Sequence, residues 1–166
     1  MDELLDKLPE HAARKSDENK RFFKKVRRKP PRRLDALMQE LHTEEFSRTD
    51  CLQCANCCKT TGPLFTDNDI SRISRHLRMK PAAFMQTYLR VDEDGDHVLQ
   101  GLPCPFLGAD NYCDIYEVRP RACREYPHTD RKRFYQISAI TMKNVAICPA
   151  AYRIVEDMKK RLPEYL

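Results

Sequence analysis

The sequence predicts a small α+β domain, mostly helical with short strands near a cysteine cluster, preceded by a helical N-terminal extension. Three observations lead there. Apolar residues recur at helical spacing in several segments, and Pro and Gly signals separate those segments. Eight cysteines then fall between Cys51 and Cys148, four of them in the run Cys51-Leu-Gln-Cys54-Ala-Asn-Cys57-Cys58. A chain of 166 residues suffices for one domain with an appendage. Residues 1–46 are therefore expected as a basic helical extension, and 47–166 as the cysteine-cluster domain with a C-terminal helix.

Ser16 is placed to cap a helix running through Asp17, Glu18, Phe22, Phe23 and Val26, and Lys29-Pro30-Pro31-Arg32 ends it. Leu34, Leu37, Met38 and Leu41 mark a second helix. Residues 51–58 are expected as loop, because ligands converge from an irregular backbone. Thr66-Asp67-Asn68-Asp69 reads as a capping box with Asp in the Glu position, opening a helix with Ile70, Ile73 and Leu77 on its inner face. Pro81 suits the first turn of a helix carrying Phe84, Met85, Tyr88 and Leu89. Asp92 to Asp96 lacks the full calcium-loop pattern and reads as a solvated turn, with a short strand over 97–100 beyond it. Gly108 to Asn111 is expected as a hairpin turn between two short strands. Pro120 can start a short helix bearing Cys123, and Phe134 to Ile140 alternates enough for a strand. Pro149 opens a last helix through Tyr152, Ile154, Val155 and Met158 to Leu162.

Asp, Glu, Lys and Arg make up 33% of the chain, Trp is absent and the hydrophobic fraction is 41%. An apolar core of that composition is modest, and disulfides or a metal would staple it. No apolar run of the secretory kind follows Met1, and no stretch approaches the roughly 20 residues of a membrane span. A cytoplasmic location is expected, where disulfides seldom persist. The net charge is +5. The run Lys24-Lys25-Val26-Arg27-Arg28-Lys29 reads as a solvated helix face, since no stacking aromatics beyond Phe22 and Phe23 interleave it. Nucleic acid is thus not an expected partner. Ligating thiols lose their protons, so part of the positive excess can balance a thiolate site.

Two residues between cysteines let both sulfurs reach one ion, and that spacing occurs twice in overlap, Cys51/Cys54 and Cys54/Cys57. Cys104, Cys113, Cys123 and Cys148 complete the set. Cys57 and Cys58 are neighbours, and neighbouring side chains diverge. They reach different metals, or one ligates and the other does not, or the centre is polynuclear. The overlapping triplet is similar to that of bacterial ferredoxins, and Cys104-Pro105 and Cys148-Pro149 supply the Cys-Pro dipeptide of that pattern. The expected cofactor leans to an iron–sulfur cluster. Zinc stays open, because eight thiolates divide into two tetrahedral sites and thiolate suits both metals. Among the histidines only His128 lies close in sequence to a late cysteine. Arg119, Arg121 and Arg124 flank Cys123, Lys59 follows Cys58, and cations there would stabilise thiolate. Tyr116 and Tyr126 are expected to pack beside the site.

At these residues the chain resembles the cysteine-cluster family named for its CxxCxxCC motif, also called YkgJ-type proteins or zinc- or iron-chelating domains. Cys51 to Cys58, Phe65-Thr-Asp-Asn-Asp-Ile70, Cys104-Pro-Phe-Leu107, Cys113-Asp-Ile-Tyr-Glu-Val-Arg-Pro-Arg-Ala-Cys123-Arg-Glu-Tyr-Pro127 and Cys148-Pro149 carry the resemblance. It implies that all eight cysteines, Cys51, Cys54, Cys57, Cys58, Cys104, Cys113, Cys123 and Cys148, belong to the metal site. Many members carry Gly after the second cysteine, where this chain has Ala55. The expected function is a metal-binding protein whose cluster or zinc is structural or transfers electrons, with a protein redox partner in the second case. The alternative is a metal-dependent redox enzyme. No glycine-rich phosphate loop, nucleophile elbow or HExxH accompanies the cysteines.

Overall fold

The computed structural model describes residues 3–166. In chain order the elements are α1 (Glu3–Arg28), α2 (Leu34–Phe46), α3 (Cys51–Cys54), α4 (Asn56–Thr60), β1 (Leu64–Phe65), α5 (Asp67–His76), α6 (Pro81–Tyr88), β2 (Leu89–Val91), β3 (His97–Leu99), α7 (Arg121–Glu125), α8 (Ser138–Asn144) and α9 (Pro149–Arg161). The protein is a mostly helical α+β structure with one small antiparallel sheet. None of the described helices is long and apolar enough to cross a membrane.

Two compact units divide the chain. One comprises the residues up to Cys51 together with Pro127–Leu166, and the other is Leu52–Tyr126. These units cut across the 1–46 and 47–166 segments drawn from cysteine content. The late helices share a core with the early ones, because their apolar stripes face each other. Phe22, Phe23 and Val26 of α1 and Leu34, Met38 and Leu41 of α2 are buried together with Phe134, Ile137, Ile154, Val155 and Met158. Lys159 is also buried there, and it pairs with Glu18 at 2.5 Å and with Glu156 at 2.5 Å and donates to Asn19 Oδ1 at 2.9 Å. A buried ammonium persists only when paired in this way.

Two elements of this helical unit correct the sequence reading. The first helix begins at Glu3 rather than at a Ser16 cap, and Pro9 lies inside it. Leu8 and Ala12 are buried and continue the stripe of Phe22 and Phe23 backward, so tertiary burial carries the helix through the proline. Residues 134–140 form no strand. A 3-10 turn over Phe134–Ile137 leads into α8. Phe134, Ile137 and Thr141 are buried while Ile140 is 46% exposed, a helical period rather than an alternation.

The Leu52–Tyr126 unit has its own core of Phe65, Ile70, Ile73, Phe84, Leu89, Leu99, Phe106 and Ile115. Its sheet has the order β1-β3-β2, with Phe65 opposite His97 and Leu89 opposite Leu99. The turn expected over Asp92–Asp96 joins β2 to β3: the Asp92 amide donates to the Asp96 carbonyl at 2.9 Å, and Asp92 Oδ1 accepts the Asp94 and Asp96 amides. The hairpin expected around a Gly108–Asn111 turn is reduced to that turn closed by a single bridge, Leu107 to Cys113, without flanking strands. Phe84 is fully buried, its ring stacked on Phe106 at 6.3 Å and tilted against Tyr88 at 5.3 Å and Phe65 at 6.1 Å. Truncating it opens a cavity under the whole sheet. Phe84→Ala is expected to cost about 3–5 kcal/mol, read as a lower denaturant midpoint.

Candidate metal centre

The Leu52–Tyr126 unit contains Cys54, Cys57, Cys58, Cys104, Cys113 and Cys123, and the other unit contains Cys51 and Cys148. No disulfide joins any of them. The run expected as loop is instead two helical turns, α3 and α4, joined at Ala55. Local i to i+3 and i+4 bonds close them, as in the Cys58 and Lys59 amides donating to the Ala55 carbonyl at 3.1 and 3.2 Å. Ala55 has φ 47° and ψ 17°, the left-handed region that glycine enters freely. Ala55 holds that geometry here with a Cβ in place. A β-branched side chain there is a much harsher outlier. Ala55→Gly is expected to leave the unfolding midpoint nearly unchanged, whereas Ala55→Val lowers stability by about 1–3 kcal/mol.

Cys104 and Cys113 open two equivalent turns. The Leu107 amide donates to the Cys104 carbonyl at 3.1 Å, and the Tyr116 amide donates to the Cys113 carbonyl at 3.1 Å. In each turn amides also point at the sulfur: those of Phe106 and Leu107 at Cys104, and that of Ile115 at Cys113. The Asp114 amide donates to the Phe106 carbonyl at 2.8 Å and ties the turns together. The Cys104 amide donates to the Cys58 carbonyl at 2.8 Å, which brings α4 alongside. Cys123 sits in α7, its amide on the Pro120 carbonyl at 3.0 Å. Four sequence-distant cysteines of this unit thereby act on one another. Burial pushes the Cys104 thiol up to about 11, with Cys58 and Cys113 adding to the rise. Burial pushes Cys123 up to about 12, and Cys58, Cys104 and Cys113 contribute. Cys113 is raised by burial and by Cys58, against the pull of Arg119. Cys58 goes the other way: a hydrogen bond with Cys57 brings it down to about 7 despite burial, and Lys59 assists.

The four thiols are thus within mutual electrostatic reach. Among the described residues no three His, Cys, Asp or Glu side chains stand close enough together to hold an ion. Their chemistry fits a soft cation: all four are sulfur donors, and two already receive backbone amides of the kind that stabilise thiolate. A second sign of fit is Arg119, whose Nε and Nη1 are buried without an acceptor among the described residues. Four thiolates around one divalent cation carry net negative charge, the complement of an unsatisfied guanidinium. His128 belongs to the helical unit and adopts a positive φ of 65°.

One scaffold pair was not legible as such in the sequence. Asp69 was expected only as a cap, and it is one: its carboxylate accepts the Thr66 amide at 2.9 Å while its own amide donates to the Thr66 hydroxyl at 3.1 Å. Its other oxygen accepts from Arg72 Nη2 at 2.8 Å and from the Arg121 amide at 3.1 Å. Arg72 Nη2 also donates to the carbonyls of Val118 at 3.3 Å and Arg119 at 2.9 Å. The segment leading into Cys123 is therefore clamped to the first turn of α5. Arg72, three residues beyond the box carboxylate, is the signal that could have disclosed the clamp.

A family model named CxxCxxCC, with the description "Putative zinc- or iron-chelating domain", matches residues 50–148. The matched span runs from just before Cys51 to Cys148 and includes all eight cysteines. Neither a curated protein nor a solved structure gives a significant match.

Proposed function

The chain belongs to the CxxCxxCC family, and from that premise we propose that it binds metal through its cysteines, with Cys58, Cys104, Cys113 and Cys123 as one thiolate centre. The observation that carries this reading is the backbone bonding that gathers these cysteines from separate turns of one unit, the Cys104 amide on the Cys58 carbonyl at 2.8 Å and the Leu107–Cys113 bridge, and the electrostatic influence of Cys58, Cys104 and Cys113 on Cys123 agrees with it. A hydrophobic core does not gather thiols and aim amides at their sulfurs, whereas a metal centre needs both. The ligand role of Cys51, Cys54, Cys57 and Cys148 rests on the family's cysteine pattern. Bound metal would supply cross-linking of the turns and, as an iron–sulfur cluster, a one-electron redox couple. We favour the cluster over zinc, in a structural or electron-transfer role with a protein redox partner. A reducing, cytoplasmic setting suits a chain whose eight cysteines form no disulfide.

The test is metal analysis with a visible spectrum on protein purified without air or chelator. Stoichiometric iron with inorganic sulfide and a brown colour supports the cluster. A colourless protein with stoichiometric zinc keeps the thiolate centre and overturns the preference for iron. A folded chain carrying no metal overturns the reading altogether.

A further inference from the structure

Arg119 carries two buried donors, Nε and Nη1, that have no counterpart among the described residues. Leaving charged donors unsatisfied is costly, and native proteins do so where a ligand completes the bonds. The arginine is also held rather than loose. Its Cζ lies 3.8 Å from the centroid of the Tyr116 ring, and Tyr116 in turn packs against Tyr112 at 5.9 Å. Its carbonyl is gripped by Arg72 at 2.9 Å, Pro120 follows, and the Arg121 amide is fixed on Asp69 at 3.1 Å. Its positive field reaches both Cys113 and Cys123.

We propose that Arg119 is the positioning residue that donates hydrogen bonds to the ligand sulfurs of this centre on the Cys113 and Cys123 side, with Tyr116 as the platform that aims it. The inference rests on the thiolate centre proposed above and extends it to the charge balance of that centre. Arg suits the task better than Lys, because a planar fork can offer two donors in one fixed direction. Donation to a thiolate removes electron density from the sulfur, offsets one negative charge and slows loss of the metal.

Cobalt(II) is the probe, added to the reduced full-length chain and titrated against a chromophoric chelator. Wild type, Arg119→Met, Arg119→Lys and Tyr116→Leu are compared for affinity and for the position of the sulfur-to-cobalt charge-transfer band. Arg119→Met is expected to bind about 10–100-fold more weakly, with the band moved to lower energy. Arg119→Lys should recover part of both changes, and Tyr116→Leu should show a smaller shift in the same direction. A role confined to packing would weaken binding without moving the band. Wild-type affinity and an unmoved band in Arg119→Met would overturn the inference while leaving the centre standing. Failure of the wild-type chain to give any thiolate–cobalt band would overturn the centre itself.

Discussion

Cys123→Ser is expected to abolish metal binding and to unfold residues 52–126. The core of that unit is small, eight buried apolar side chains across about 75 residues, a size at which apolar burial seldom suffices without a staple. Structural metal in small domains contributes on the order of 10–16 kcal/mol of apparent binding energy, and that energy is folding energy. Cys123 contributes through α7, which lies against β1, so loss of its sulfur frees the turn that closes the unit. Serine keeps the shape and cannot replace a thiolate on zinc or iron. Far-UV circular dichroism and metal analysis of the variant decide the matter. Metal content and a thermal midpoint equal to wild type would exclude Cys123 as a ligand.

Asp69→Ala is expected to destabilise the same unit by about 3 kcal/mol, the cost of removing one partner from a buried, charged hydrogen-bond cluster. Asp69 is 1% exposed, and its loss strands the Thr66 and Arg121 amides and deprives Arg72 of its carboxylate partner. Burial alone would raise its pKa. The Thr66 amide, Arg72, the Thr66 hydroxyl and the Arg121 amide outweigh burial and hold the carboxyl below its ordinary value of 3.8. A folded-state pKa below the unfolded one gives stability that is complete above the unfolded value and is lost as pH falls through the folded one. Acid unfolding of wild type below pH 4 should therefore include an Asp69 component that is missing in Asp69→Asn, whose stability is lower at neutral pH and flatter toward acid. Equal stability of wild type and Asp69→Ala at pH 7 would show that the clamp contributes nothing.

Most helices with explicit start signals were legible in the sequence, the Ser16 cap being the exception. Thr66 to Asp69, Pro81 and Pro149 each sit where their helix begins, because caps and N1 prolines act through bonds within one turn. Elements decided by distant packing were not. Phe134 to Ile137 have strand-forming side chains, yet Phe134 faces Phe23 of α1 at 6.3 Å and follows the helical period of that surface. The short turns α3 and α4 contain no apolar stripe, so nothing periodic announced them. At the site, the metal-ligand spacing of the cysteines was legible, and the family was legible from its resemblance to motifs that extend beyond them. The company of Cys58 with Cys104, Cys113 and Cys123 depends on backbone bonds across tens of residues, such as Cys104 to Cys58, and spacing carries no record of those. The same holds for the Asp69–Arg72 grip on residues 118–121.

The central claim is that sulfur alone surrounds the metal, and X-ray absorption at the metal edge of the anaerobically purified full chain reads the neighbours directly. The account predicts a first shell of sulfur at about 2.3 Å, lost on replacing Cys58, Cys104, Cys113 or Cys123 by Ser. A first shell of oxygen or nitrogen, or a sulfur shell that survives all four replacements, would contradict it.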